Sequence, residues 1–399
     1  MLKNRILLFF AIFFYGLLII PCCSQSQKKF QILPGAYDTK QYLPLISGKN
    51  VGLVINHTSL IGSTYLVDSL QSMDVAVSAI YTPEHGFTGS AGAGAKVSDG
   101  FYSNDSLPII SLYGKKKKPL PEDLQGIEIM IFDLQDVGVR FYTYLSTLHY
   151  IMEACAEQQI PLIVLDRPDP NGFYIDGPLL EQDFTSFIGM HPVPVVYGMT
   201  IGEYARMING EYWLADSLQC ELTIIQCCNY THSSFYNLPV PPSPNLPDMR
   251  AVYLYPSVAF FEGTVVSEGR GTKFPFQMIG HPDYPDRTFS FVPEPLKGYN
   301  LNPKLKHITC YGMDLRDIPI DTLQYGKKID LDYLITFYKN LNMEVSFFTD
   351  YFDLLAGNEI LRNQIIEGIS TDEIRQSWEE GLDAFKKIRV KYLLYPDFE

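Results

Sequence analysis

The sequence predicts an α/β fold, a Rossmann-like, doubly wound, mostly parallel sheet followed by a smaller α+β C-terminal domain. Two observations carry that prediction. Short apolar runs rich in Val, Ile and Leu, without polar alternation, suit strands buried on both faces of a parallel sheet. They read VGLVINHTS from Val51, VSAIYTPEHG from Val77, IEIMIFDLQD from Ile127 and PLIVLDRPDP from Pro161. Segments with helical spacing lie between them, and alternating strand and helix implies right-handed crossovers. Each run ends in polar residues: Asn56 and His57, then Glu84 and His85, then Asp133, Gln135 and Asp136, then Asp166, Arg167 and Asp169. Ligands bind outside the carboxyl ends of strands in such sheets. The expectation is therefore one site fed by four strands.

The elements follow in chain order. Lys3 and Arg5 precede an almost wholly apolar Ile6 to Ile20, and Cys22-Cys23 comes next. This reads as a signal peptide of lipoprotein type over residues 1–23, with Pro21 standing where a small residue is usual. Residues 30–278 are expected to form the Rossmann-like catalytic domain, and 279–399 the α+β domain that completes the cleft. Tyr65 to Met73 suits a short helix. The glycine-rich stretch Gly86 to Gly94 fits neither G-x-G-x-x-G nor Walker A spacing and reads as a mobile loop over a pocket. Arg140 to Gln158 places Tyr142, Leu145, Leu148, Ile151, Met152 and Cys155 on one helical face. Thr200, with Glu203 three residues on, is a capping box that opens a helix to Asn209. Prolines in Tyr236 to Asp248 rule out helix and central strand. Beyond the apolar AVYLYPSVAFF run, HITCYGMDL is strand-like, and helical stretches cover 331–341, 358–367 and 371–392.

Composition narrows the partners. A formal charge of −14 argues against nucleic acid, whose phosphates demand basic patches, and Lys115 to Lys118 reads as a solvated loop. Cys155, Cys220, Cys227, Cys228 and Cys310 are odd in number and fit no zinc spacing; they read as small core residues, with one disulfide, such as Cys220 to Cys227 or Cys228, as the alternative. His57, His85, Asp133, Asp136 and Asp166 lack a compact ligand motif, so no metal and no cofactor are expected. No protein partner is expected either.

Six motifs resemble the exo-β-N-acetylmuramidase family, glycoside hydrolase family 171. They are YTPEHGFTGSAGAG, FDLQDVGVRFYTYLSTL, VLDRPDPNG with the following DGPLL, YGMTIGEYA, PPSPNLP and FFEGTVVSEGRGTKFPFQMIG, in unbroken order from about Val51 to Gly280. Tyr197 departs from the pattern, where a His is expected before Gly-Met-Thr. The resemblance implies a cleft between a Rossmann-like and a smaller domain. It also implies release of N-acetylmuramic acid from non-reducing ends of peptidoglycan fragments. The N-terminal signal segment sets the expected location on the periplasmic side of the cell envelope, held by lipid.

Glycoside hydrolysis normally needs two carboxyl groups, one protonated and one ionised. Glu84 is the first choice for the general acid, because it ends a buried run beside the glycine-rich loop. Glu262, which ends the AVYLYPSVAFF run, is favoured as the second carboxylate; Glu268, Asp133 and Asp136 compete with it. The lactyl carboxylate of the sugar needs a cation, and Arg140, Arg167 and Arg270 stand in the matching motifs. His57 and His85 are candidates to touch sugar hydroxyls or to tune Glu84, and Asp166 joins the substrate-binding set. Two other classes share these residues: a metal-dependent hydrolase of another envelope ester or amide, and a non-catalytic glycan-binding lipoprotein.

Overall fold

The computed structural model describes residues 31–89, 99–102 and 107–399. The expected signal peptide with Cys22 and Cys23, and the part of the expected glycine-rich mobile loop beyond Gly89, lie outside the described residues. Seven strands form the central sheet: β1 (Val51–Ile55), β2 (Val77–Thr82), β3 (Gly100–Tyr102), β4 (Leu107–Ser111), β5 (Ile129–Asp133), β6 (Leu162–Leu165) and β7 (Leu222–Ile225). They lie in the order β7-β6-β5-β1-β2-β4-β3, and every neighbouring pair is parallel except β3 with β4. Without the edge strand β3 this is the Rossmann order, which reverses between β1 and β5.

The unalternating apolar runs are explained by cover on both faces. Val54, Tyr81, Phe132 and Val164 join one core with Leu145, Leu148, Ile151 and Met152 of the helix Tyr144–Gln158. Leu53, Ile80, Ile131 and Ile163 join a second core with Tyr42, Ile46, Leu66 and Leu70 on the opposite face. At about 1.5–3 kcal/mol per buried aliphatic side chain, these layers dominate the stabilisation of the sheet.

The C-terminal portion carries a three-stranded antiparallel sheet, Met278–His281, Cys310–Asp314 and Ser290–Phe291, with helices at Asp332–Leu341, Tyr351–Ala356 and Ile360–Ile366. The expected helix over 371–392 is two, Thr371–Gln376 and Glu379–Arg389. One core runs without a break from Val54 to Phe385, and residues 32–399 form a single compact unit. Packing is therefore continuous across position 278, where a domain boundary was expected. The AVYLYPSVAFF run is a helix, Met249–Val258, running into a 3₁₀ turn, Ala259–Gly263, that carries Glu262. All five described cysteines are free thiols.

The last residues return to the strand ends. Tyr395 donates its hydroxyl to Asp166 Oδ2 at 2.5 Å and accepts from the Cys227 backbone N–H at 2.8 Å. The Leu394 N–H reaches Glu203 Oε1 at 2.7 Å.

Candidate active site

A cleft of about 240 Å³ opens beside the carboxyl end of β2. Strand β2 delivers Glu84 and His85 to it through a tight turn. His85 and Gly86 both adopt left-handed backbone, with φ of 70° and 69°, a conformation that is costly for a histidine and recurs at functional sites. Thr143, at the entry to the helix Tyr144–Gln158, donates to Glu84 Oε2 at 3.2 Å. His85 Nε2 lies 3.3 Å from Ser243 Oγ in the PPSPNLP segment.

The opposite contributors come from far along the chain. Glu262 and Arg270 line the same cleft, and Arg270 grips Glu262 Oε1 with Nε at 2.9 Å and Nη2 at 2.5 Å. Burial raises the Glu262 carboxyl above its ordinary range, against the pull of Arg270, and Glu268 adds to the rise. Arg270 also lies over the Phe276 ring, 5.0 Å from its centre. Its Nη1 is buried and has no hydrogen-bond partner among the described residues. The walls are aromatic: Tyr113, Phe141, Tyr142, Tyr144, Phe187, Tyr255 and Tyr351. Burial first, then the field of Glu262, raises the Tyr255 and Tyr351 hydroxyls, and Glu84 contributes to both. The two carboxyl groups thus act on the same two phenols.

The other expected site residues are placed elsewhere. Arg140 lies outside the cleft lining and clamps four backbone carbonyls, Pro178, Val193, Leu355 and Ala356, at 2.7–2.8 Å. Arg167 forms a fully buried fork with Asp133, Nε to Oδ1 at 2.5 Å and Nη2 to Oδ2 at 2.9 Å. Asp166 receives Thr200, Tyr395 and the Gly202 N–H. Asp136 Oδ2 receives the Tyr197 hydroxyl and the Gly138 N–H, so Tyr197, the departure from the family pattern, is buried on Asp136, and neither residue lines the cleft. Glu268 pairs with Lys304 at 2.8 Å and lies 3.5 Å from Arg270, behind Glu262. His57 gives Nε2–H to the Pro241 carbonyl at 2.9 Å and borders a neighbouring recess with Pro244 and Tyr299.

Asp133, Asp136, Arg140, Asp166 and Arg167, expected to touch substrate, do not line this cleft, and the cause is physical. A buried charge persists only when paired or hydrogen-bonded, and each of these groups meets internal donors or acceptors instead of a cavity. The Rossmann crevice between β1 and β5 is itself filled: Asn56 donates to Tyr144 Oη at 2.8 Å, and Ser59 Oγ donates to the Asp133 carbonyl. The cleft is consequently displaced toward the end of β2. Among the described residues, no group of three or more His, Cys, Asp or Glu side chains is placed to hold a metal ion. Ser243, Asn245, Tyr255 and Tyr351 were missed by the sequence reading. PPSPNLP was visible as a motif, but nothing local distinguishes Asn245 within it.

Two acidic side chains in one aromatic cleft are the side-chain inventory that glycoside hydrolysis uses. The chain belongs to the exo-β-N-acetylmuramidase NamZ family: the family's N-terminal model matches residues 51–250 and its C-terminal model residues 253–395. It is 38% identical over 395 residues, 93% of both chains, to the peptidoglycan β-N-acetylmuramidase NamZ of Bacillus subtilis (strain 168). Two DUF1343-family proteins of Bacteroides fragilis NCTC 9343 share the fold. The first has a TM-score of 0.86 at 44% identity, covering 92% of this chain and 99% of its own. The second has a TM-score of 0.76 at 27% identity, covering 91% and 99%.

Proposed function

We propose that this protein is an exo-acting β-N-acetylmuramidase that releases N-acetylmuramic acid from the non-reducing ends of peptidoglycan fragments. Family membership supports the reaction. One observation supports the site: Glu84, Glu262 and Arg270 line a single cleft. Glu84 gives its proton to the departing glycosidic oxygen as the C1–O bond breaks. Water adds to C1 and loses its proton to a carboxylate, with Glu262 as the second carboxyl group. Arg270, already locked by Glu262 and Phe276, turns its unused Nη1 to the lactyl carboxylate, which needs charge-assisted hydrogen bonds once it leaves water.

A donor of this kind is worth typically 10²–10⁴-fold in rate. Glu84→Gln keeps the size and removes the proton, so turnover of a natural muramic disaccharide is expected to fall by about that factor. An aryl glycoside of N-acetylmuramic acid, whose leaving group needs little protonation, is expected to lose much less. Near-wild-type disaccharide turnover by the folded variant would sink the assignment. The leader sequence further supports a protein carried to the periplasmic side of the cell envelope and held there by lipid on Cys22 or Cys23.

A further inference from the structure

We propose that Asn245 reads the acetamido group of the sugar, its Oδ1 accepting the amide N–H. The inference rests on the muramidase reading of the cleft and adds a specificity-determining residue to it. Asn245 lines the cleft, is only 3% exposed, and has an Oδ1 without a hydrogen-bond partner among the described residues. A buried acceptor left unpaired is destabilising, so it calls for a partner that arrives from outside the fold. The side chain is held on a stiff strap. Pro244 and Pro247 flank the Asn245-Leu246 pair, Leu246 is buried in the core, and the Asn245 N–H donates to Ser243 Oγ at 3.1 Å. An acceptor kept in place this way loses little freedom when a ligand binds.

Chemistry and position select the group it meets. The lactyl carboxylate only accepts, so Oδ1 cannot bind it. Hydroxyls and the amide N–H can both donate, and location decides between them. Asn245 is tied through Ser243 to His85, whose Nε2 lies 3.3 Å from Ser243 Oγ, and His85 adjoins Glu84 in the chain. Glu84 acts at the oxygen on C1, and the substituent on C2 is the donor nearest to C1. On N-acetylmuramic acid that substituent is the acetamido group.

The test compares two aryl glycosides of the muramic sugar, one with the 2-acetamido group and one with a 2-acetoxy group, which keeps the shape and lacks the N–H. The ratio of their kcat/KM values is measured for wild type, Asn245→Ala and Asn245→Asp. Each ratio is internal to one preparation, so partial misfolding of a variant does not affect it. Asn245→Ala is expected to lower the preference for acetamido by roughly 10–100-fold, the discrimination of one desolvated hydrogen bond. Asn245→Asp retains an acceptor and is expected to keep most of the preference. An unchanged ratio in Asn245→Ala overturns the role of Asn245 while leaving the muramidase reading intact. Failure of wild type to cleave either glycoside overturns both.

Discussion

Arg140, Arg167 and Arg270 carry the same guanidinium, and their surroundings give each a different task. Arg140 meets carbonyls only, and burial pulls its pKa down to about 9. Arg167 neutralises Asp133, and of the three only Arg270 reaches the cleft. Arg270→Ala is expected to lower kcat/KM for muramic substrates at least tenfold more than for matched glucosamine analogues, which lack the lactyl group. Arg270→Lys keeps the charge and loses the fork, so it should fall between the two. Equal losses on both sugars in steady-state kinetics would place the lactyl contact elsewhere. Nothing in the sequence separates the three arginines, because the partners that sort them lie up to 216 residues away. The same holds for the acids. Burial lifts Asp136 from 3.8 to about 6, with the Tyr197 hydrogen bond opposing the rise. Below pH 6 the folded protein binds a proton here that the unfolded chain takes up only near pH 3.8, so this residue favours folding increasingly as pH falls between those values. Asn cannot titrate. The unfolding free energy of wild type minus that of Asp136→Asn is thus expected to rise from pH 7 to pH 4, by on the order of 1–3 kcal/mol. Urea titrations across that range measure it, and a flat difference would refute it.

At the scale of elements, the helix Ile201–Gly210 was readable to its first residue. Thr200 accepts from the Glu203 N–H at 3.3 Å, the Glu203 carboxylate returns to the Thr200 N–H at 2.9 Å, and the hydroxyl also donates to Asp166 at 2.7 Å. Thr200→Ala is expected to destabilise the protein by about 1–2 kcal/mol from the cap, and more through the buried oxygen it strips of a donor. Thr200→Ser is expected to restore most of the loss in chemical denaturation. The strands were legible for a similar reason: a run buried on both faces must be apolar throughout. The stretch Met249–Val258 was not, because a helix buried nearly all round has no polar face to reveal its period, and Pro256 near its end argues locally against helix. Strand ends misled in another way. Their polar residues mark the carboxyl edge of the sheet correctly, yet at β5 and β6 that edge is sealed by internal partners.

For the whole molecule, the order of motifs was enough to indicate family and architecture, since both follow the linear chain. Of the cleft's far wall, Glu262 and Arg270 stood among the sequence candidates and Tyr351 did not, and nothing local shows that the three meet Glu84, because they do so only through tertiary packing. The leader supplies a prediction at this scale: mature protein is expected in the membrane fraction, with acyl mass on a peptide beginning at Cys22 or Cys23. Wholly soluble recovery without that mass would exclude the anchor. The Tyr395–Asp166 hydrogen bond also imposes an order in time. These partners are 229 residues apart, and ribosomes add about 5–20 residues per second. Asp166 therefore emerges roughly ten to fifty seconds before the tyrosine that caps it. Through that interval β6 ends in a carboxylate with one donor missing, and the nascent sheet cannot reach its final stability. Closure of this edge has to wait for the segment around Tyr395, so β6 is a part of the sheet that a partly made chain cannot finish.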